Sequence, residues 1–187
     1  ITLPNSITKL CPNSFSDCSS LYEINLPPTI TAIEDSSFQG CSFLHKIIIP
    51  ESVTFIGKNA FKNCTNLLKI ELPSSILEIE DDVFNGCHNL KQIKIPSSIK
   101  SIGQNAFYGC HSISEFLIPP TVTFIGENAF YGCSIKQIVI PSSITTINKS
   151  TFYNNSLKLR YRHQFLQLEV MHFLDVHHCK KSNLIHF

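Results

Sequence analysis

Apolar and polar positions along the chain follow one pattern that repeats every 23 residues, with a single step of 22. Each unit holds an apolar residue, two variable residues, an Ile-x-Ile/Leu-Pro string, and then Ser/Thr-Ile/Val-x-x-Ile. The recurring prolines are Pro4, Pro27, Pro50, Pro73, Pro96, Pro119 and Pro141, and the recurring phenylalanines are Phe15, Phe38, Phe61, Phe84, Phe107, Phe130 and Phe152. A unit this short cannot bury its own apolar face, so we predict a solenoid whose neighbouring coils share one core.

The Ile-x-Ile-Pro string predicts one short strand in each coil, because β-branched residues alternate there with variable ones and proline ends the strand. Repeats in register should pair these strands in parallel, with irregular or short helical segments returning the chain. Beside the phenylalanines we expect four inward columns: Leu21, Leu44, Leu67, Leu90, Ile113 and Ile135; Ile24, Ile47, Ile70, Ile93, Phe116 and Ile138; Leu26, Ile49, Leu72, Ile95, Ile118 and Ile140; and Ile33, Ile56, Ile79, Ile102, Ile125 and Ile147.

The repeat places a solenoid of about seven units at residues 1–156 and leaves 157–187 as a tail without the pattern. The tail holds five of the eight histidines. A metal site there would be built from His172, His177, His178 and Cys179. We disfavour it, because adjacent ligands without a second spaced pair match no zinc pattern well.

The tail is better explained as an eighth repeat translated out of frame. When the third base of each codon is joined to the first two of the next, the codons from His163 onward can encode Ser-Ile-Ser-Ser-Ile-(Gly/Arg)-Ser-Asn-Ala-Phe-Phe-(Gly/Arg)-Cys-Ser-Ser-Leu-Gln-Lys-Ile. Met171 with His172 forces the alanine, and His178 with Cys179 forces the leucine. We hypothesise a frameshift in the genome, in a pseudogene or in the assembled sequence, so the tail histidines need no metal.

Six of the eight cysteines share one position of the repeat, three residues after the phenylalanine. They are Cys18, Cys41, Cys64, Cys87, Cys110 and Cys133, and Asn155 takes this position in the seventh unit. A disulfide framework would staple distant loops. Pairing between adjacent coils remains open on distance, but we favour buried free thiols that act as small apolar residues and weak donors.

Strings such as LLKIELPSSILEIEDDVFNGC and LKQIKIPSSIKSIGQNAFYGC resemble the BspA-like leucine-rich repeats of surface antigens from anaerobic bacteria and parasitic protists. The resemblance covers residues 1 to about 156. It implies a right-handed, curved leucine-rich-repeat solenoid that is displayed on the cell surface or secreted and binds a host or matrix protein. The family offers no catalytic motif to transfer, and the chain as given starts at Ile1 without a signal peptide or anchor.

Residues that alternate with the buried ones on each strand should point outward and form a protein-binding face, since solenoids bind through such extended surfaces. These residues are Glu23, Asn25, Lys46, Ile48, Lys69, Glu71, Gln92, Lys94, Glu115, Leu117, Gln137 and Val139. The alternative is a strand face that is merely solvated. Exposed Leu117 and Val139 favour binding, because soluble surfaces avoid apolar patches.

The charge of the chain and its lack of catalytic motifs argue against several classes of function. A net charge of +1 with 16% charged residues argues against nucleic acid and anionic membranes as partners, and no apolar stretch is long enough to span a bilayer. No catalytic, cofactor-binding or metal-binding pattern remains once the repeat is accounted for. We therefore predict a non-catalytic protein-binding module, resembling a cell-surface adhesin or antigen fragment. The alternatives are an intracellular, cytoplasmic protein–protein scaffold and a decayed, truncated fragment without present function.

Overall fold

The computed structural model describes residues 1–156 and 158–161, which wind into a parallel-strand solenoid of about five turns. The strands, in chain order, are β1 (Lys9–Leu10), β2 (Glu23–Asn25), β3 (Ala32–Ile33), β4 (Lys46–Ile48), β5 (Phe55–Ile56), β6 (Lys69–Glu71), β7 (Glu78–Ile79), β8 (Gln92–Lys94), β9 (Ser101–Ile102), β10 (Phe124–Ile125), β11 (Gln137–Ile140) and β12 (Lys158–Tyr161). The predicted solenoid is confirmed. Short helical return segments are not found among these residues, because turns and a second row of strands return the chain.

In the first row, every strand except β12 lies just before one of the recurring prolines. β2, β4, β6 and β8 form one parallel sheet, and β11 pairs with β12. The register joins equivalent residues of successive coils, such as Ile24 with Ile47. β2, β4 and β6 each bury their central residue and expose the two that flank it. The alternation predicted from sequence therefore fixes which side chains leave the solenoid.

The second row forms two more parallel sheets, β1-β3-β5 and β7-β9-β10. Each of its strands has two residues and buries an apolar one, such as Ile33 or Ile102. The sequence predicts these isoleucines to be buried but does not indicate strands around them, because two residues are too few to show a period.

The predicted inward columns form one continuous core. Leu26, Ile93, Ile95 and Ile147 are half-buried, and the other members are buried. The phenylalanines stack along the solenoid, with neighbouring ring centroids 5.3 to 5.7 Å apart in nearly parallel planes. Five of these rings are fully buried: Phe38, Phe61, Phe84, Phe107 and Phe130. The core is therefore a set of ladders in which each coil covers its neighbour.

Each coil turns through two positions with left-handed backbone. The first is occupied by Asn13, Ser36, Asn59, Asp82, Asn105, Asn128 and Ser150, and the second by Asp17, Gly40, Asn63, Gly86, Gly109, Gly132 and Asn154. Glycine enters this region freely, and asparagine and aspartate enter it more readily than other residues. The recurring asparagine and glycine around each phenylalanine thus have a backbone role.

The sixth unit interrupts the first row. Glu115 makes only an isolated bridge to Gln137, and at the start of the chain Thr2 makes another to Asn25. Phe116 stands where other coils have isoleucine, and it packs edge-on against Phe107 and Phe130 with centroids 5.1 and 4.7 Å away. In keeping with these interruptions, the structure has about five turns rather than the predicted seven repeats.

Candidate protein-binding face

All twelve residues that the alternation predicts to point outward are exposed. We call them the strand face: Glu23, Asn25, Lys46, Ile48, Lys69, Glu71, Gln92, Lys94, Glu115, Leu117, Gln137 and Val139. The first-row sheet brings together the eight that lie between β2 and β8. Of the remaining four, Glu115 and Leu117 lie in the interrupted sixth unit, and Gln137 and Val139 lie on β11. Their exposure agrees with the sequence pattern, while their role in binding remains a prediction.

A depression of about 680 Å³ lies in the middle of the strand face. Strand-face residues that line it are Lys46, Ile48, Lys69, Glu71 and Lys94. Three further residues at its edge, His45, Leu68 and Glu51, were not predicted from the sequence, because they lie outside the strand alternation. The sequence does contain one indication of this edge, because the equivalent position varies between units: it holds Tyr22, His45 and Leu68.

The depression carries more positive than negative charge. Lys69 Nζ lies 2.8 Å from Glu71 Oε1, and Lys94 Nζ lies 3.8 Å from Glu71 Oε2. Hydrogen bonding from Lys69 and the charges of both lysines lower the pKa of Glu71. Lys46 is paired in register with Lys69 on the adjacent strand, which places two like charges side by side. A partner carboxylate would relieve that repulsion.

Exposed apolar residues flank these charges. Ile48 is 65% exposed within the depression, and Leu117 is 79% exposed in the interrupted sixth unit. The bridge between Glu115 and Gln137 places Leu117 in line with Val139 on the next coil. The second row carries its own exposed apolar residues, Phe55, Leu77 and Phe124, which the sequence did not single out. They provide a comparison surface for any test of the strand face.

The cysteine column has a structural role. Cys41, Cys64, Cys87, Cys110 and Cys133 are buried, and each Sγ donates a hydrogen bond of 3.0 to 3.2 Å to the carbonyl of a phenylalanine in the preceding coils. Asn155 Nδ2 donates the equivalent bond to Phe130 at 2.7 Å. These five cysteines therefore act as predicted, as small buried apolar residues that each donate one weak hydrogen bond.

Burial keeps these thiols protonated. Desolvation raises the pKa of Cys87 to about 12 and also raises the pKa of Cys64 and Cys110. A protonated, enclosed thiol is a poor nucleophile. Cys18 departs from the prediction: it belongs to the same column but is exposed, because it lies in the first coil.

Three glycosylation acceptor patterns fall in the described part of the chain, at Asn63, Asn148 and Asn154. Asn148 Nδ2 donates a 2.5 Å hydrogen bond to the Ile125 carbonyl, which occupies the atom that a glycan would need. Asn63 and Asn154 are exposed. Cys64, next to Asn63, is fully buried, so Asn154 is the better placed acceptor.

Among residues 1–156 and 158–161, no three histidine, cysteine, aspartate or glutamate side chains are grouped to hold a metal ion. The candidate cluster His172, His177, His178 and Cys179 lies outside the described residues. No helix in the described part of the chain is long and apolar enough to cross a membrane.

A model of the BspA type leucine rich repeat region matches residues 1–94 and 31–159 in six copies. The chain therefore belongs to the BspA-type leucine-rich repeat family. This confirms the resemblance seen in the repeat strings. A search of curated proteins gave no match.

Three solved structures show the same fold. A leucine-rich repeat protein from Bacteroides ovatus is 25% identical, with a TM-score of 0.71, and the match covers 89% of this chain and 52% of that protein. The leucine-rich repeat protein of T. pallidum is 34% identical with a TM-score of 0.61, covering 64% and 58%. One from Eubacterium ventriosum is 25% identical with a TM-score of 0.57, covering 80% and 46%. This chain thus spans about half the length of these relatives.

Proposed function

We propose that this chain is a non-catalytic protein-binding module that is displayed at the cell surface, like an adhesin or antigen, and binds a host or matrix protein through the strand face. The observation that carries the proposal is the contrast between the two sides of each first-row strand. Inward positions repeat the same apolar residues, while the exposed ones differ from coil to coil. Repeat proteins bind their partners through varied exposed residues, which are supported by buried residues that stay the same in every repeat.

The charges and apolar residues of the depression define the partner segment that fits it. Lys46, Lys69 and Lys94 offer three ammonium groups against the two carboxylates of Glu71 and Glu51. Ile48 adds an exposed apolar surface among them. The segment that suits this site carries carboxylates on either side of an apolar side chain.

The test uses a random peptide library displayed on phage and selected on the immobilised protein. We expect the selected peptides to contain acidic and apolar residues. Two exposed ion pairs of ~0.5–1 kcal/mol each correspond to a change in Kd of roughly five- to thirtyfold. The double variant Lys46→Glu/Lys69→Glu should weaken peptide binding by a factor in that range.

The matched control is Lys9→Glu/Lys100→Glu, which changes two exposed lysines on the side of the second strand row. It applies the same charge change and should leave binding intact. A second pair compares Leu117→Ser/Val139→Ser with Phe55→Ser/Phe124→Ser. Selected peptides that bind all four variants equally well would show that the strand face is not the site.

An intracellular scaffold is the second candidate, and the exposure of Cys11 and Cys18 favours it, because an exposed thiol stays reduced in the cytosol. Localisation separates the two. Labelling of the protein on intact cells, or a glycan at Asn154, supports surface display. Protein that is found only in the reduced cytosolic pool supports the scaffold.

A further inference from the structure

The pairing of β11 with β12 aligns the end of the described chain with the preceding coil. Ile138 is paired with Leu159, and Ile140 with Tyr161. If the offset from Gln137 to Lys158 continued, codon 162 would correspond to Pro141 and codon 173 to Phe152. The register of β12 agrees with the shifted reading of the sequence, in which the codons from Lys158 to Arg162 can encode Ile-Lys-Ile-Pro-Ser.

We infer that the gene lost one base within or next to the Lys158 codon and that the codons beyond it encode an eighth repeat that is translated out of frame. One base inserted in that codon allows the following sequence to read IKIPSSISSIGSNAFFGCSSLQKI. Most of these residues require one choice among synonymous codons, whereas the alanine and the leucine are forced. The inference concerns the organisation of the chain and does not depend on the proposed function.

The restored residues meet the requirements of the positions that the register assigns to them. Isoleucines fall opposite Ile138 and Ile140, and proline falls opposite Pro141. Asparagine falls opposite Ser150 and glycine opposite Asn154, which are the two left-handed positions. Phenylalanine falls opposite Phe152 and cysteine opposite Asn155, so the ring stack and the row of donors to phenylalanine carbonyls would both continue.

The genetic code supplies an internal control. The alanine before the restored phenylalanine is forced, because Met171 has one codon and every histidine codon begins with CA. The other shifted frame forces a cysteine from Met171 and His172. In that frame the codons of Leu168 and Glu169 cannot encode phenylalanine, although each repeat carries a phenylalanine three positions before this cysteine. Only one of the two shifted frames is compatible with a coil.

Sequencing of the coding DNA tests the inference directly. We expect CAT for His172, which yields phenylalanine, and GAT for Asp175, which yields cysteine. CAC would give leucine and GAC would give arginine, and either codon would overturn the inference.

A second measurement tests whether the restored sequence folds as a coil. The chain with the inserted base should melt about 4 °C or more above the chain as given, because the added coil would cover the last one and a gain of 1 kcal/mol moves Tm by about 2–4 °C at this size. As a control, the same insertion with the restored phenylalanine replaced by aspartate should lose the gain. An unchanged Tm in the restored chain would refute an eighth coil.

Discussion

Replacement of Phe61 by alanine tests whether the phenylalanine column is a closed stack. The ring is fully buried, and it lies between Phe38 at 5.4 Å and Phe84 at 5.7 Å. Truncation of a buried phenylalanine in a core that relaxes little costs about 3–5 kcal/mol. Two ring contacts are lost along with the buried area, so we expect a value in the upper part of that range.

The matched control is Phe15→Ala at the first coil. That ring is half-buried and stacks on Phe38 only, at 5.4 Å, so its removal should cost about 1–2 kcal/mol. Urea unfolding followed by circular dichroism measures both values. In thermal melts, Phe61→Ala should lower Tm by about 6–20 °C.

The structure also predicts where Phe61→Ala loosens the molecule. Coils of a solenoid contact only their neighbours, so amide hydrogen exchange should speed up around Phe38, Phe61 and Phe84 and little at Phe130. If Phe61→Ala and Phe15→Ala cost the same within about 1 kcal/mol, or if exchange rises evenly along the chain, the closed stack is wrong.

Two further predictions concern glycine and cysteine. Gly109→Ala meets no atom closer than 3.9 Å but must adopt φ +70°, so it should cost about 1–2 kcal/mol in urea unfolding. Gly126→Ala should cost more, because its new Cβ would lie 2.5 Å from Gln104 N; equal costs would contradict this steric argument. The raised pKa of Cys87, about 12, lies above the ~8.5 of a thiol in the unfolded chain. The contribution of the buried, protonated Cys87 thiol to stability is therefore complete below pH ~8.5 and is lost as pH rises towards 12. The urea midpoint should fall between pH 8 and 10.5 by less in Cys87→Ala than in the parent, and equal falls would refute the linkage.

Much of the scaffold follows from the sequence because each structural requirement recurs once per coil. The inward columns, the parallel register and the exposure of the strand face can all be deduced from a 23-residue period and strand alternation. The family assignment follows from the same strings. A single short unit, such as the one around Ile70, would not have been sufficient for these predictions.

Features that depend on local backbone geometry or on one coil's neighbours could not be predicted in this way. The second strand row is too short to show a period, and the left-handed turns appear in sequence only as recurring small residues. Phe116 fits the apolar column by type, yet it coincides with the loss of a strand. The depression depends on His45 and Leu68, whose side chains lie outside the alternation.

The cysteine column shows how position in the array, rather than residue type, determines chemistry. Cys18 and Cys87 occupy equivalent positions, but Cys87 has a phenylalanine carbonyl of an earlier coil to receive its hydrogen bond, whereas Cys18 lies in the first coil and is exposed. Asn155 is not a thiol, yet it makes the same bond to Phe130. The position therefore requires a small donor that is covered by a neighbouring coil. A recurring cysteine is accordingly no sign of redox or metal chemistry in this chain, and the varied strand face is the better place to look for function.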